Sequence, residues 1–403
     1  MRSCQPFIAA FLLAISTFST GQQIPSPDLP HGLLYIVDSD HGSSDSHERI
    51  FSLDPQRKAI LKNYPAGSRP DIALSPDGAR LYVAYEQMSP DRTEGVGKLD
   101  VIETATGTVL ASVPNPNRWV AVGPLYASEM ALSSDGRWLY MKKLTLDLNH
   151  LPVDAVAIFD TAANRFLPDA ISLPKCAASL FVPWPDSHTL SVLCSQETDL
   201  RTVRLNDQGV PANLVPAGVS VTNHGAGQWV GTAFISGANE VTVIAADGKY
   251  SRVNLDTNKI TQEGAIAFSP PLTPAGWHPR VRATEHVTSL GRRFIGMQPV
   301  LDSDGRLYIL LSRSDRYMHA ADAIAVLDEK TLQQEAFFEL KSSTRGTRSL
   351  FWSGAIGDDG NRLYLLGVES KSGIVHVLHL PDGKEVDTIK GVGTTPTIMI
   401  VSP

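Results

Sequence analysis

The chain has 403 residues, with 42 acidic side chains against 35 basic ones and no Lys/Arg cluster that would neutralise a run of phosphates, which argues against a nucleic-acid partner. Apolar residues make up 42% of it, ample for a core. Aromatics at 7%, with 31 Gly and 27 Pro, point to short strands and turns.

From the first residue, Met1-Arg2 leads into an apolar run from Pro6 to Phe18 and then the small residues Ser19-Thr20-Gly21. A basic start, an apolar centre and a small-residue exit describe a signal peptide over residues 1–21, too short to span a bilayer stably. The expectation is cleavage near residue 21 and a periplasmic protein. Cys4 precedes the apolar run, whereas a lipid-bearing cysteine would follow it. Removing the leader leaves Cys176 and Cys194, either a pair of buried thiols or a disulfide; export favours the disulfide. So short a closed loop would add about 3 kcal/mol.

The rest of the chain is organised by a repeat. Ala73-Leu-Ser-Pro-Asp-Gly-Ala-Arg-Leu-Tyr82 returns as Ala131–Tyr140, Val300–Tyr308 and Ala355–Tyr364, each an apolar strand, an Asp-Gly turn and a second strand. Gly supplies the positive φ and Asp satisfies the turn backbone, so these carboxylates read as turn formers, not as calcium ligands or catalytic acids. Val182–Ser191 and Phe234–Thr242 are degenerate copies. A seventh is split between the chain ends: Ile398–Pro403 stops where a turn should follow, and Gly32–Val37 supplies the second strand.

A second pattern of strand, turn and strand follows each copy, at Phe51–Pro55, Val101–Gly107, Ile158–Thr161, Val203–Gly209, Val253–Thr257, Val326–Thr331 and Val377–Gly383. Seven copies of each half predict an all-β fold over residues 31–403: a single seven-bladed β-propeller of four-stranded antiparallel blades, closed by pairing the N- and C-terminal strands. The segments His41–Glu48, Gln87–Gly97, Pro114–Tyr126 and Pro270–Arg293 exceed hairpin length, the last reading as a helical or irregular excursion. Long loops on a rigid scaffold are where partners bind.

No catalytic spacing stands out: there is no His-Glu-x-x-His, Gly-x-Ser-x-Gly, Cys-x-x-Cys or phosphate loop. Ser172 and Lys175 match the letters of a Ser-x-x-Lys pair but lack the helix that would align them. His376 and His379 fall on opposite faces of a predicted strand. His41, with Asp38 and Asp40, and His224, His278, His286 and His319 lie in or near loops, and would form a polar cluster only if those loops share one face. Trp119, Trp277 and Trp352 belong to no cofactor box and read as packing residues.

Over nearly its whole mature length the chain resembles the heavy subunit of methylamine and aromatic amine dehydrogenases. The resemblance is carried by Tyr35-Ile-Val-Asp38, Leu173-Pro-Lys-Cys176 through Leu193-Cys194, Arg306–Leu311 with Ser314–His319, and Ala325–Asp328. It implies a Cys176–Cys194 disulfide and no cofactor on this chain. Its partners would be a small light chain bearing tryptophan tryptophylquinone and a periplasmic cupredoxin that accepts electrons. The activity implied is oxidation of primary amines to aldehyde and ammonia. The loop Asp40-His41-Gly42 falls where that family lines its amine channel, and Gly42 takes the place of the family's Phe. Such a loss implies a different or larger amine, or a propeller that serves no dehydrogenase. The rival expectation is a stand-alone binding or scaffold propeller with a polar, loop-covered face. A third, a hydrolase on a propeller, needs a ring of inward carboxylates and His around a metal.

Overall fold

The computed structural model describes residues 32–38, 48–88, 95–114, 130–146, 152–174, 176, 178–194, 199–213, 216, 218–221, 230–245, 248–270, 278–279, 282–288, 291–295, 300–301, 304–312, 323–340, 350–357, 359–370, 372–380 and 382–403. Among them there is no helix.

The chain is a seven-bladed β-propeller, and each blade is an antiparallel sheet built outward from the central channel. Blade 1 takes its inner strand from Pro396–Val401 and adds Leu34–Asp38, Arg49–Asp54 and Ala59–Tyr64. Blade 2 is Ser68–Leu74, Arg80–Met88, Gly95–Glu103 and Val109–Pro114. Blade 3 is Met130–Leu132, Trp138–Leu146, Pro152–Asp160 and an outer strand in two pieces, Arg165–Phe166 and Ile171–Leu173. Blade 4 is Ala178–Pro183, Thr189–Cys194, Asp199–Arg204 and Gly218–Ser220. Blade 5 is Val230–Gly237, Glu240–Ala245, Lys249–Asn254 and Lys259–Ala265. Blade 6 is Arg306–Ser312, Ala323–Asp328 and Gln334–Glu339, with an inner strand split into His278–Pro279 and Val300–Leu301. Blade 7 is Leu350–Ile356, Arg362–Glu369, Ser372–His379 and Glu385–Lys390.

The predicted closure is the one found. Leu34 pairs with Val401 and Val37 with Ile398, and the hairpin is tied by Ser402 N donating to Leu33 O and Leu33 N to Ser402 Oγ, both at 2.8 Å.

Packing explains why the middle strands read as continuous apolar runs. Leu34 and Ile36 turn toward blade 7, while Tyr35 and Val37 turn toward blade 2, so both faces of one strand are buried. Seven apolar clusters of described residues follow this rule, one between each pair of neighbouring blades, so the core is a closed ring of interfaces without a single centre. Trp138 and Tyr140 pack with Phe181 and Val192 between blades 3 and 4. Trp184 is buried between blades 4 and 5, its indole N–H donating to Ser191 Oγ at 3.0 Å.

One expectation is corrected here. The Pro270–Arg293 segment holds no helix among its described residues; Arg282–Thr288 and Gly291–Ile295 form an antiparallel ribbon. A period-2 pattern interrupted by Thr, Glu and Arg is too short to stand out from an irregular loop by composition alone.

Candidate functional site

In a four-stranded antiparallel blade, the turns from first to second and third to fourth strand lie at one end of the ring. The connections from second to third strand, and onward to the next blade, lie at the other. The four long segments singled out from the sequence all belong to the second set.

The tight-turn end is built from one repeated design. Ser75 Oγ donates to Asp77 Oδ1 at 2.5 Å, and Asp77 Oδ1 accepts the Ala79 amide at 3.0 Å. Ser133 and Asp135 repeat this with the Arg137 amide, and Asp186 takes the amides of His188 and Thr189. The next tier is the start of the third-to-fourth-strand turn, whose amide donates to the carbonyl preceding the second strand. It recurs in blades 2 to 7 as Thr104 to Ala79, Thr161 to Arg137, Leu205 to His188, Leu255 to Asn239, Glu329 to Gly305 and Leu380 to Asn361. Neighbouring turns also touch: Asp135 N donates to Ser187 Oγ, and Gly136 lies under Pro76.

These bonds set the carboxylates' acidity. The Ser75 hydroxyl holds the Asp77 pKa below the usual carboxylate value, against a burial effect in the other direction. Burial likewise opposes the shift at Asp135 and Asp186, but the hydroxyls of Ser133 and Thr189 and the turn amides outweigh it, and both stay low. As read from the sequence, these acids serve the turns.

Among the described residues, two ties at the long-connection end bear on the sequence reading. Asp38, at the last position of the second strand of blade 1, is 3% exposed. It accepts Arg49 Nε at 3.0 Å and the amides of Thr394 and Thr395 at 2.9 and 2.8 Å, fixing the segment that feeds the closing strand. Asp38, which the sequence places with Asp40 and His41 at the first long loop, is the buried anchor of the closure. Its sequence signal was its place, an acid ending an otherwise apolar strand. The second hold is the disulfide Cys176–Cys194, Cα atoms 4.5 Å apart, joining the segment that enters blade 4 to the end of that blade's second strand.

Of the loop histidines, His278 pairs with Ser312 in the split inner strand and His286 lies on the ribbon. The segments holding His41, His224 and His319 are bounded by strands that end at this same side of the ring. Those three residues, and Asp40 and Gly42, lie outside the described residues. So do Trp119, Trp277 and Lys175, while Ser172 sits on a strand.

Away from the channel, a cavity of about 610 Å³ opens between blades 6 and 7, lined by Glu339, Leu340, Leu365, His376, Leu378 and residues 383–388. The buried His376 presents Nδ1 to Glu385 Oε1 at 3.0 Å, and Thr388 Oγ1 donates to that same oxygen at 2.6 Å. The hydroxyl is thus directed at the carboxylate, not at the imidazole, which is the arrangement of a structural network rather than an activated nucleophile. Between blades 1 and 2, Tyr85 donates to the buried Asp100 at 3.0 Å; burial and then the Asp100 charge push the phenol up to about 12. Among the described residues no three His, Cys, Asp or Glu side chains converge as a metal site would require.

The fold defines the class, a closed seven-bladed β-propeller, and the comparisons with known proteins support it. No family model matches the chain, and no curated protein matches it. Among solved structures it is similar to the periplasmic gluconolactonase PpgL of Pseudomonas aeruginosa, with a TM-score of 0.60 and 14% identity over 92% of this chain and 99% of that one. It is also similar to the dihydro-heme d1 dehydrogenase NirN (TM-score 0.55, 16% identity, 94% and 77% covered). A protein of unknown function from Desulfotomaculum acetoxidans is a third (0.58, 14%, 92% and 98%).

These findings overturn the resemblance to amine dehydrogenase heavy subunits. The similar structures are propellers of other kinds, and no family model supports that assignment. The physical reason lies in what carried it: the Tyr-Ile-Val and Leu-Tyr-Ile-Leu stretches are middle strands buried on both faces, a demand any blade makes. The Cys pair is real, but it closes one blade locally, a staple that any exported propeller can use.

Proposed function

We propose that this chain is an exported, stand-alone binding propeller that presents its ligand surface at the long-connection end. The observation that carries this reading is the division of the ring. One end is spent on repeated, internally satisfied turns, while every long connection leaves from the other, anchored by Asp38 and by the disulfide. Loops of variable length on a rigid frame are the usual way a scaffold acquires recognition. A disulfide, together with the signal-like residues 1–21, supports an oxidising compartment outside the cytoplasm.

The test is to purify the tagged chain from the envelope of its host and compare amide exchange before and after stripping bound material. Protection lost on stripping is expected in the connections around 39–48, 115–129 and 313–322. Protection at the tight-turn end, or hydrolysis of glucono-lactone by the purified chain at an enzymatic rate, overturns the reading.

A further inference from the structure

Three residues before the end of the third strand, blades 1, 3 and 6 place Phe51, Ala157 and Ala325 in the interface with the preceding blade. Blade 7 places His376 there instead, 6% exposed and in the wall of the cavity between blades 6 and 7. A buried imidazole where the fold elsewhere takes an apolar side chain costs stability unless it is hydrogen-bonded. Glu385 meets that need at Nδ1, and Thr388 holds the same carboxylate oxygen. The opposite wall comes from blade 6. Phe338, which precedes Glu339 on its outer strand, packs on Gly383, where an added Cβ would meet the ring at 2.2 Å. Lys384 follows that glycine, so this contact fixes how far apart the two blades hold Glu339 and Lys384.

The charges lining the cavity divide into those already used and those left over. Glu385 is bonded to His376 and Thr388, and Asp387 is paired with Lys58 at 2.6 Å. The Asp382 carboxylate near Lys384 accepts from His379 Nδ1 and from the Lys384 amide. Among the described residues, the Glu339 carboxylate and the Lys384 ammonium make no ion pair and no side-chain hydrogen bond, with each other or with a third group. Leu340, Leu365 and Leu378 complete the lining. A space of about 610 Å³ is the size of a small-molecule site, and it offers one unmet anion, one unmet cation and an apolar surface. We propose that the cavity binds a small zwitterion with an apolar side chain, a free amino acid or a short peptide. Glu339 takes its ammonium, Lys384 its carboxylate, and the leucines its side chain. The inference does not depend on what the long connections bind.

The experiment is a calorimetric titration of the full mature chain with leucine, leucyl-leucine and two analogues of leucine that keep one charge each, isoamylamine and isocaproate. At least one zwitterion is expected to bind saturably, and each analogue about five-fold more weakly than leucine, the loss of one partly exposed charge pair. The order of leucine and leucyl-leucine separates a free amino acid from a peptide. Glu339→Gln and Lys384→Gln change exposed side chains and should leave the melting temperature unchanged while each weakens the zwitterion by about five-fold. Their effects on the analogues should cross: Glu339→Gln leaves isocaproate binding unchanged, and Lys384→Gln leaves isoamylamine binding unchanged. The proposal is overturned if neither zwitterion binds, if either analogue binds as tightly as leucine, or if both variants keep wild-type affinity for the zwitterion.

Discussion

At one end of the ring the chain reverses in two to five residues and repeats the same bonds from blade to blade; at the other the connections between strands run to as many as 15 residues, from Pro114 to Met130, and are tied at Asp38 and Cys176–Cys194. The same strands serve both ends, so the difference lies in how stability is distributed. Spread over many equivalent turns, each bond at the first end contributes little and can be lost. Among the described residues the second end is tied by Asp38, by the disulfide and by the bonds between Gly373 and residues 391–393, none of which repeats from blade to blade. Substitutions should therefore cost more at the anchors than at the turns, while binding at the long connections should respond only to that end.

The largest effect is expected from the disulfide. Replacing Cys176 and Cys194 together by Ser frees a loop of sequence separation 18 and should lower unfolding free energy by about 3 kcal/mol in urea titrations. The same shift should follow reduction of the wild type and be absent from the double variant under reducing conditions. Next comes Asp38→Ala, which removes the buried acceptor of two part-buried amides and of Arg49. Its cost should be about 2–3 kcal/mol, and the segment 391–401 should exchange amides faster. If either change proved as mild as the loss of a turn carboxylate, the contrast between the ends would fail.

A middle rank belongs to glycine, and it can be tested at both ends. Gly136, at φ 72°, has no room for a methyl group: an added Cβ would meet Pro76 Cδ at 2.7 Å. Gly391 has φ 78° but nothing within 4 Å. Both alanine variants carry the cost of a left-handed conformation, about 1 kcal/mol, and Gly136→Ala adds the clash, for about 2 kcal/mol in all. Equal melting temperatures for the two variants would show that adjacent blades do not lean on each other through their turns.

How much of this was legible in the sequence follows from the same contrast. The tight-turn end was readable because it repeats: Asp-Gly between apolar strands recurs often enough to reveal seven blades and the hairpin shared by the termini. The long-connection end has no repeat to compare. Asp38 could be placed at a strand end, but its burial depends on Thr394 and Thr395, more than 350 residues away. The ribbon reads as a helical or irregular stretch in the sequence because nothing local says that it interrupts a strand resumed at Val300. The cavity beside His376 exists only once blades 6 and 7 are side by side. The family resemblance failed for a related reason: buried middle strands of unrelated propellers converge on the same apolar letters.

The smallest effects should come from the turn aspartates, and their pH dependence tests the idea of distributed stability. Asp77, Asp135 and Asp186 have folded pKa values below the ordinary 3.8. A carboxyl whose pKa is lower folded than unfolded stabilises fully above the unfolded value, and that contribution disappears as pH falls through the folded value. The contribution is therefore intact at pH 7, begins to fade near pH 4 and is lost below the depressed folded values. All three side chains are mostly solvent-screened, so each should be worth a few tenths of a kcal/mol, about the scale of an exposed ion pair. A triple variant, Asp77→Asn/Asp135→Asn/Asp186→Asn, should start slightly less stable than wild type at pH 7, and the gap should narrow as both are acidified toward pH 2. Melting temperatures across that range read it directly. Parallel curves would mean that the turn hydrogen bonds are made equally well by the neutral side chain. The charge would then add nothing, and the stability of this end would rest on the repeated backbone ties alone.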